Sequence, residues 1–211
     1  MLKLVIFDMD GVLVDACEWH KEALNEALFE VSGYKISQED HVKYYNGLPT
    51  KVKLSRMVDL GHISLDQIEN IYTIKQEKTK DIIQDLGSLD LSKVELITWL
   101  REQNIHVACF TNSIRETARM MLDKAGIVDS LELLVTNQDV EYPKPHPEGY
   151  NKVLEHFGVS PEETIIVEDS PKGMQSALAT GCHVMQVNNA TQVNLTRVEE
   201  FINENFNSHG R

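Results

Sequence analysis

Two aspartates one residue apart, Asp8 and Asp10, directly follow the apolar run 2–7, and Gly11 lets the chain turn sharply behind them. Other apolar runs end in equally polar groups. Thr111-Asn112-Ser113 follows Phe110, Glu168-Asp169-Ser170 follows Val167, and Lys144 lies between Pro143 and Pro145 in a loop before a helix. Ligands of open parallel sheets bind beyond the carboxyl ends of the strands. If these runs are neighbouring strands, one pocket therefore gathers four carboxylates, a lysine, a hydroxyl and an amide. Four carboxylates in a low-dielectric site require either protonation or a cation. An all-oxygen donor set suits Mg2+, which keeps several waters and often meets substrate phosphate.

Such a constellation can transfer a phosphoryl group. An ionised Asp8 can attack phosphorus, giving an aspartyl-phosphate that water then hydrolyses. Asp10 can serve as acid for the leaving oxygen and then as base for water. Thr111, Asn112 and nearby backbone N–H groups would hold phosphoryl oxygens, and Lys144 would offset the charge that builds during transfer. Glu168 and Asp169 would hold the metal, while Ser170 caps the next helix with Pro171 at its first position. A Ca2+ loop starting at Asp8 would need glycine at its sixth position and an acid at its twelfth, where this chain has Leu13 and Trp19. Ser113 reads as a helix cap, and Cys17 and Cys109 as packing residues.

The elements that must position these groups show a regular rhythm. Strand-like runs recur at 107–111, 133–136, 164–167 and 183–187, separated by helical patterns. Ser92 with Glu95 and Ser113 with Glu116 read as capping boxes, and Ser160-Pro161 as a helix start. Gly126, Gly158 and Gly181 stand where left-handed caps are expected. Strands alternating with helices predict a doubly wound, mainly parallel, Rossmann-like α/β sheet. The stretch between Asp8 and Val107 is far longer than a crossover needs. Amphipathic segments at 20–31, 51–60 and 64–84 fill it, so residues 15–86 read as an inserted all-helical cap domain. Residues 1–14 with 87–211 form the catalytic core. The tail 203–211 reads as polar and frayed.

At 211 residues, 42% hydrophobic and 25% charged, the chain has an ordinary globular composition. The formal net charge of −13 argues against a nucleic-acid partner. Three cysteines without a CxxC spacing argue against a disulfide framework or a thiolate zinc site. The apolar segment before Asp8 is too short for a signal peptide, and nothing later approaches a membrane span. The expectation is a cytoplasmic protein that is a monomer or weak dimer, with no membrane partner.

Taken together, Phe7-Asp8-Met9-Asp10-Gly11-Val12-Leu13-Val14-Asp15, Thr111-Asn112-Ser113, Lys144-Pro145-His146-Pro147 and Glu168-Asp169-Ser170-x-x-Gly173 resemble the four ordered motifs of the haloacid dehalogenase-like hydrolases. The chain is most similar to the branch of β-phosphoglucomutase and the small sugar-phosphate phosphatases, whose helical cap follows the first motif. The resemblance implies Mg2+-dependent phosphotransfer through an aspartyl-phosphate. Its metal ligands would be Asp8, the backbone of Asp10, and Asp169, with Glu168 nearby or bound through water. In the inserted region the loop 46–51 would reach substrate through Gly47, Thr50 and Lys51, and His20 falls where the mutase-like branch has a hinge histidine. That branch places an arginine three residues after the loop glycine, and this chain has Thr50 there.

The leading expectation is a phosphatase of a small phosphorylated metabolite, a sugar phosphate. A sugar phosphomutase is the alternative. A phosphoacceptor signalling module would have no use for the inserted region, and a dehalogenase would lack Asp10.

Overall fold

In the computed structural model, which describes residues 1–206 except Asn46, the first strand β1 (Leu4–Phe7) is buried along its whole length. A strand covered on both faces belongs in the middle of a sheet. β1 accordingly lies between β2 (His106–Phe110) and β4 (Thr164–Glu168), with β3 (Leu133–Val135) and β5 (His183–Gln186) outside them. The order is β3-β2-β1-β4-β5, and every pairing is parallel. Chain direction across the sheet reverses at β1, which makes a topological switch point of the kind where doubly wound folds bind ligands. Phe7 is level with Cys109 on one side and Val167 on the other, so the next residues along, Asp8 and Glu168, leave the sheet side by side.

The chain divides into two compact units, Met1–Asp15 with Ser88–Arg211, and Ala16–Gly87. In the first, α5 (Leu91–Glu102), α6 (Arg115–Lys124), α7 (Glu148–Phe157), α8 (Pro171–Leu178) and α9 (Leu195–Phe206) accompany the strands. Leu4, Ile6, Ala108, Phe110 and Ile166 from the sheet pack with Tyr150, Val153 and Leu154 of α7 in one buried cluster. The second unit holds α1 (Cys17–Ser32), α2 (Gln38–Asp40), α3 (Thr50–Asp59) and α4 (Ile68–Leu86). Its own core joins Leu24, Ala27 and Leu28 of α1 to Leu54 and Met57 of α3 and Ile71 of α4. No described helix is long and apolar enough to cross a membrane.

Several local expectations are corrected. Ser92 does not cap α5. Asp90, extended at φ −111° and ψ 94°, accepts from the N–H groups of Ser92 and Lys93, so its carboxylate takes the role two residues earlier. Ser113 does not cap α6 either; the helix begins after Ile114, and Gln138 Oε1 accepts from Arg115 N at 2.8 Å. Ser160-Pro161 opens only a single 3-10 turn, Pro161–Glu163, that feeds directly into β4. The tail expectation holds for none of residues 203–206, which continue α9. That helix buries Val198 and Ile202 and sets the Phe206 ring 4.6 Å from His183. Residues 207–211 lie outside those described.

The stretch Gln38–Tyr45, to which the sequence reading assigns no element, is also helically wound. Ser37 caps α2, and the chain winds on through a π-type turn, His41–Tyr45. His41 is buried, and its Nδ1 has no hydrogen-bond partner among the described residues. Burial lowers its pKa to about 4, helped by Lys53 and Lys21 and opposed by Glu18. Between pH 6.5 and 4 the unfolded chain binds a proton that the folded unit refuses, so this contribution to stability is lost as pH falls through that window. At pH 5 the loss is about 1–2 kcal/mol. In thermal unfolding series, the melting midpoint of wild type should therefore fall more steeply from pH 6.5 to 5 than that of His41→Gln. Parallel slopes would refute it.

Candidate active site

Asp8 leaves β1 with its N–H donating to Val167 O at 3.0 Å, so β4 fixes the start of the turn. The carbonyl of Met9 then accepts from the N–H groups of Val12, Leu13 and Val14, and Gly11 donates to Val14 O at 2.7 Å. This tight turn brings Asp10 back against the end of β2. Thr111 and Ser113 both donate their hydroxyls to Asp10 Oδ2, at 3.3 and 2.9 Å. Ser113 is thus drawn away from the helix cap by a carboxylate 103 positions earlier. Thr111 is fully buried, and its Oγ1 also accepts from Ser113 N at 3.0 Å.

Lys144 reaches into the same place from the loop before α7. It is almost wholly buried, and its ammonium donates to Asp8 Oδ1 at 2.5 Å and to Glu168 Oε1 at 2.6 Å. Asn112, expected to hold a phosphoryl oxygen, has its side-chain amide engaged otherwise. Its Oδ1 accepts from Lys144 N at 3.1 Å and its Nδ2 donates to Lys144 O at 3.3 Å, a bracket on the lysine's main chain. Glu168 ends β4 with no exposed surface. Its Oε2 accepts from the N–H groups of Asp169 and Ser170 at 3.1 and 3.4 Å. Ser170 caps α8 as expected, its hydroxyl accepting from Gly173 N, with Pro171 following.

The electrostatics follow from this burial. Desolvation raises the Asp8 pKa well above the ordinary carboxylate value. Lys144 opposes that, while Glu168, Asp169 and Asp10 add to it. Burial also works against the Lys144 ammonium, but the carboxylates of Asp8 and Glu168 outweigh it and hold the lysine charged. Asp169 is pushed up to about 7 by burial and then by the Glu168 charge, with Lys144 opposing. Three buried or half-buried carboxylates against one ammonium leave excess negative charge.

That excess, and the donor chemistry, fit a hard divalent cation. Asp8, Glu168 and Asp169 each offer a carboxylate oxygen within 4.8 Å of the others. Asp169 Oδ1 is buried with no hydrogen-bond partner among the described residues. A buried oxygen without a partner is costly unless a ligand completes it. A model of the haloacid dehalogenase-like hydrolase family matches residues 5–187.

The chain belongs to the haloacid dehalogenase-like hydrolases. It is 28% identical over 180 residues to the phosphorylated carbohydrates phosphatase of Thermotoga maritima, covering 85% of this chain and 82% of that one. Similarity to hexitol phosphatase A of Escherichia coli is 27% identity over 186 residues, 87% of this chain and 82% of that one. Among solved structures, β-phosphoglucomutase from Clostridium difficile superposes with a TM-score of 0.82 at 21% identity. The match covers 97% of this chain and 98% of that one, and shows a shared fold.

The remaining expected residues lie in the inserted unit of this hydrolase. His20 on α1 is half-buried, with its Nδ1 3.1 Å from Lys75 Nζ on α4, a partner that sequence reading did not find. Gly47 turns with φ +71° ahead of α3, which Thr50 opens. Lys51 is exposed, 3.4 Å from Glu69 and 4.9 Å from the centre of the Tyr72 ring. Asn46, the first residue of that loop, lies outside the described residues. The other residue missed is Tyr150. It sits six positions after Lys144 on the buried face of α7, where an aromatic side chain reads as plain core.

Proposed function

We propose that this hydrolase is a Mg2+-dependent phosphatase of a small phosphorylated metabolite, a sugar phosphate, acting through an aspartyl-phosphate on Asp8. The observation that carries the reading is the buried Lys144–Asp8 contact at 2.5 Å, with a second acid, Asp10, two residues on. Lys144 holds one oxygen of Asp8 and leaves the other to attack phosphorus. As the phosphoryl group transfers, the ammonium stabilises the charge on its oxygens. Asp10, oriented by Thr111 and Ser113, protonates the leaving oxygen and afterwards takes a proton from the attacking water. Asp8, Asp169, Glu168 and the backbone of Asp10 would hold Mg2+. When bound, the ion supplies the positive charge that keeps these carboxylates ionised and takes a share of the phosphoryl charge.

The relatives named as phosphatases support hydrolysis, and their names support a sugar-phosphate class of substrate. A phosphomutase must hold a second phosphate, and a lysine cannot reproduce a guanidinium fork. Thr50 stands where the mutase-like branch has its arginine, and Lys51 beside it is already close to Glu69 and Tyr72.

The test is a panel of phosphorylated metabolites assayed for released phosphate, with Mg2+ and with EDTA. A coupled assay for isomerised hexose phosphate runs on the same samples. Phosphate release should depend on Mg2+, vanish with EDTA and exceed isomerisation on every sugar phosphate. Without a cation, burial and neighbouring carboxylates hold both Asp8 and Asp169 above the ordinary carboxylate range. Mg2+ binding therefore displaces protons, and apparent Mg2+ affinity should weaken as pH falls below about 7. Full turnover in metal-free buffer would refute the reading, and isomerised product outpacing phosphate would establish the mutase.

A further inference from the structure

Tyr150 is fully buried on α7, in the cluster that joins that helix to the sheet. Volume alone would be served by phenylalanine, and a buried phenol normally has a partner that justifies its hydroxyl. Here the hydroxyl donates to Glu168 Oε1 at 2.6 Å, the same oxygen that accepts from Lys144 at 2.6 Å. The ammonium is therefore enclosed. Two of its sides meet carboxylates, Asp8 Oδ1 and Glu168 Oε1. Two others meet rings, with the centres of Phe110 and Tyr150 at 4.8 and 4.9 Å. The rings stand edge to face, 4.9 Å apart and at 90°.

Two glycines let this box close. A Cβ at Gly149, beside Tyr150 in α7, would overlap the Phe110 ring, so only glycine admits the helix this near β2. A Cβ at Gly173 in α8 would overlap the Glu168 carboxylate. The carboxylate is thus pressed between α8 on one side and the phenol on the other. Its Oε2 is occupied by the main chain of Asp169 and Ser170, so Oε1 is the oxygen whose position sets where the ammonium rests.

We propose that Tyr150 is a positioning residue of the phosphatase, whose hydroxyl fixes Glu168 Oε1 and whose ring, with that of Phe110, holds the Lys144 ammonium against Asp8. The inference rests on the phosphatase reading given above. Without the hydroxyl, Glu168 Oε1 loses one of its two donors and is free to follow the ammonium. The lysine is then less well placed to stabilise charge in the transition state, while Asp169 and the main-chain donors that hold Glu168 Oε2 stay in place. Loss of an interaction made in the transition state alone lowers kcat and leaves KM in place.

The experiment compares wild type, Asp8→Asn, Tyr150→Phe and Tyr150→Leu with p-nitrophenyl phosphate and with the best substrate from the metabolite panel. Mg2+ binding by calorimetry and thermal unfolding are measured on each protein. Tyr150→Phe keeps the ring and should lose about tenfold in kcat. Its KM should stay within about twofold, its Mg2+ dissociation constant within about threefold, and its melting midpoint close to wild type. Tyr150→Leu removes the ring as well and should lose about tenfold more. A Tyr150→Phe enzyme with kcat within twofold of wild type would overturn the proposal. So would a kcat loss matched by an equal loss of Mg2+ affinity, because the hydroxyl would then serve the metal and not the lysine. A wild type that releases no phosphate, or an Asp8→Asn variant as active as wild type, refutes the phosphatase reading itself. The positioning role falls with it, and that failure is seen in different arms.

Discussion

Asp8→Asn should lower kcat/KM by about 10³-fold or more in the phosphate-release assay while leaving the fold intact by circular dichroism. The substitution keeps the volume of a buried side chain and changes one oxygen to an amide. Asn can still accept from Lys144 through its carbonyl, so the lysine is not stranded. What disappears is the anionic oxygen that would attack phosphorus, together with one of three clustered carboxylates. Neither loss can be made good by a neighbour. Asp10 Oδ2 already accepts from two hydroxyls, and Glu168 has its oxygens occupied by Lys144, Tyr150 and the main chain. An Asp8→Asn enzyme that keeps more than about a tenth of wild-type activity would remove Asp8 from the role of nucleophile.

Lys144→Met should cost about 10²–10³-fold in kcat/KM and also destabilise the core unit by about 2–4 kcal/mol at pH 7 in urea unfolding. Both effects have one cause. The ammonium is the positive partner of two buried carboxylates, and methionine leaves Asp8 and Glu168 facing each other in a water-poor site. Removing one member of a buried ion pair leaves an uncompensated charge, which is why the penalty exceeds that of a surface pair. Part of that cost should be recovered on adding Mg2+ if the carboxylates then gain a cation, which a repeat of the unfolding series measures. Lys144→Arg should rescue neither property. Phe110 and Tyr150 flank the ammonium at under 5 Å, and a planar guanidinium is too broad for that box. An active Lys144→Met enzyme would show that the lysine serves folding only.

Much of this was legible in the residues themselves. Continuous apolar runs mark strands buried on both faces, and a run such as Leu4–Phe7 has no other easy place than the middle of a parallel sheet. Once the strands are parallel, the polar groups that end them must meet at one edge. Asp8, Thr111, Glu168 and Asp169 were therefore readable as one site from their position after apolar runs. Ser170-Pro171 was equally local: a hydroxyl and a ring with fixed φ decide a helix start within a few residues.

Only the tertiary structure decided what competes for each polar side chain. Ser113 had the spacing of a cap, but Asp10 lies beside it in space and a carboxylate is the stronger acceptor. Asn112 carries the amide expected near a phosphoryl group, yet Lys144 offers it both a donor and an acceptor on the main chain. Tyr150 was indistinguishable from core until Glu168 was seen against its hydroxyl. His41 lay in a stretch with no helical period, and its burial comes from the packing of the inserted unit. In each case the deciding partner is distant in the chain or supplied by packing. Local propensity and periodicity act over a few residues, whereas the cost of leaving a buried polar group unpaired is settled by whichever partner folding brings within about 3 Å.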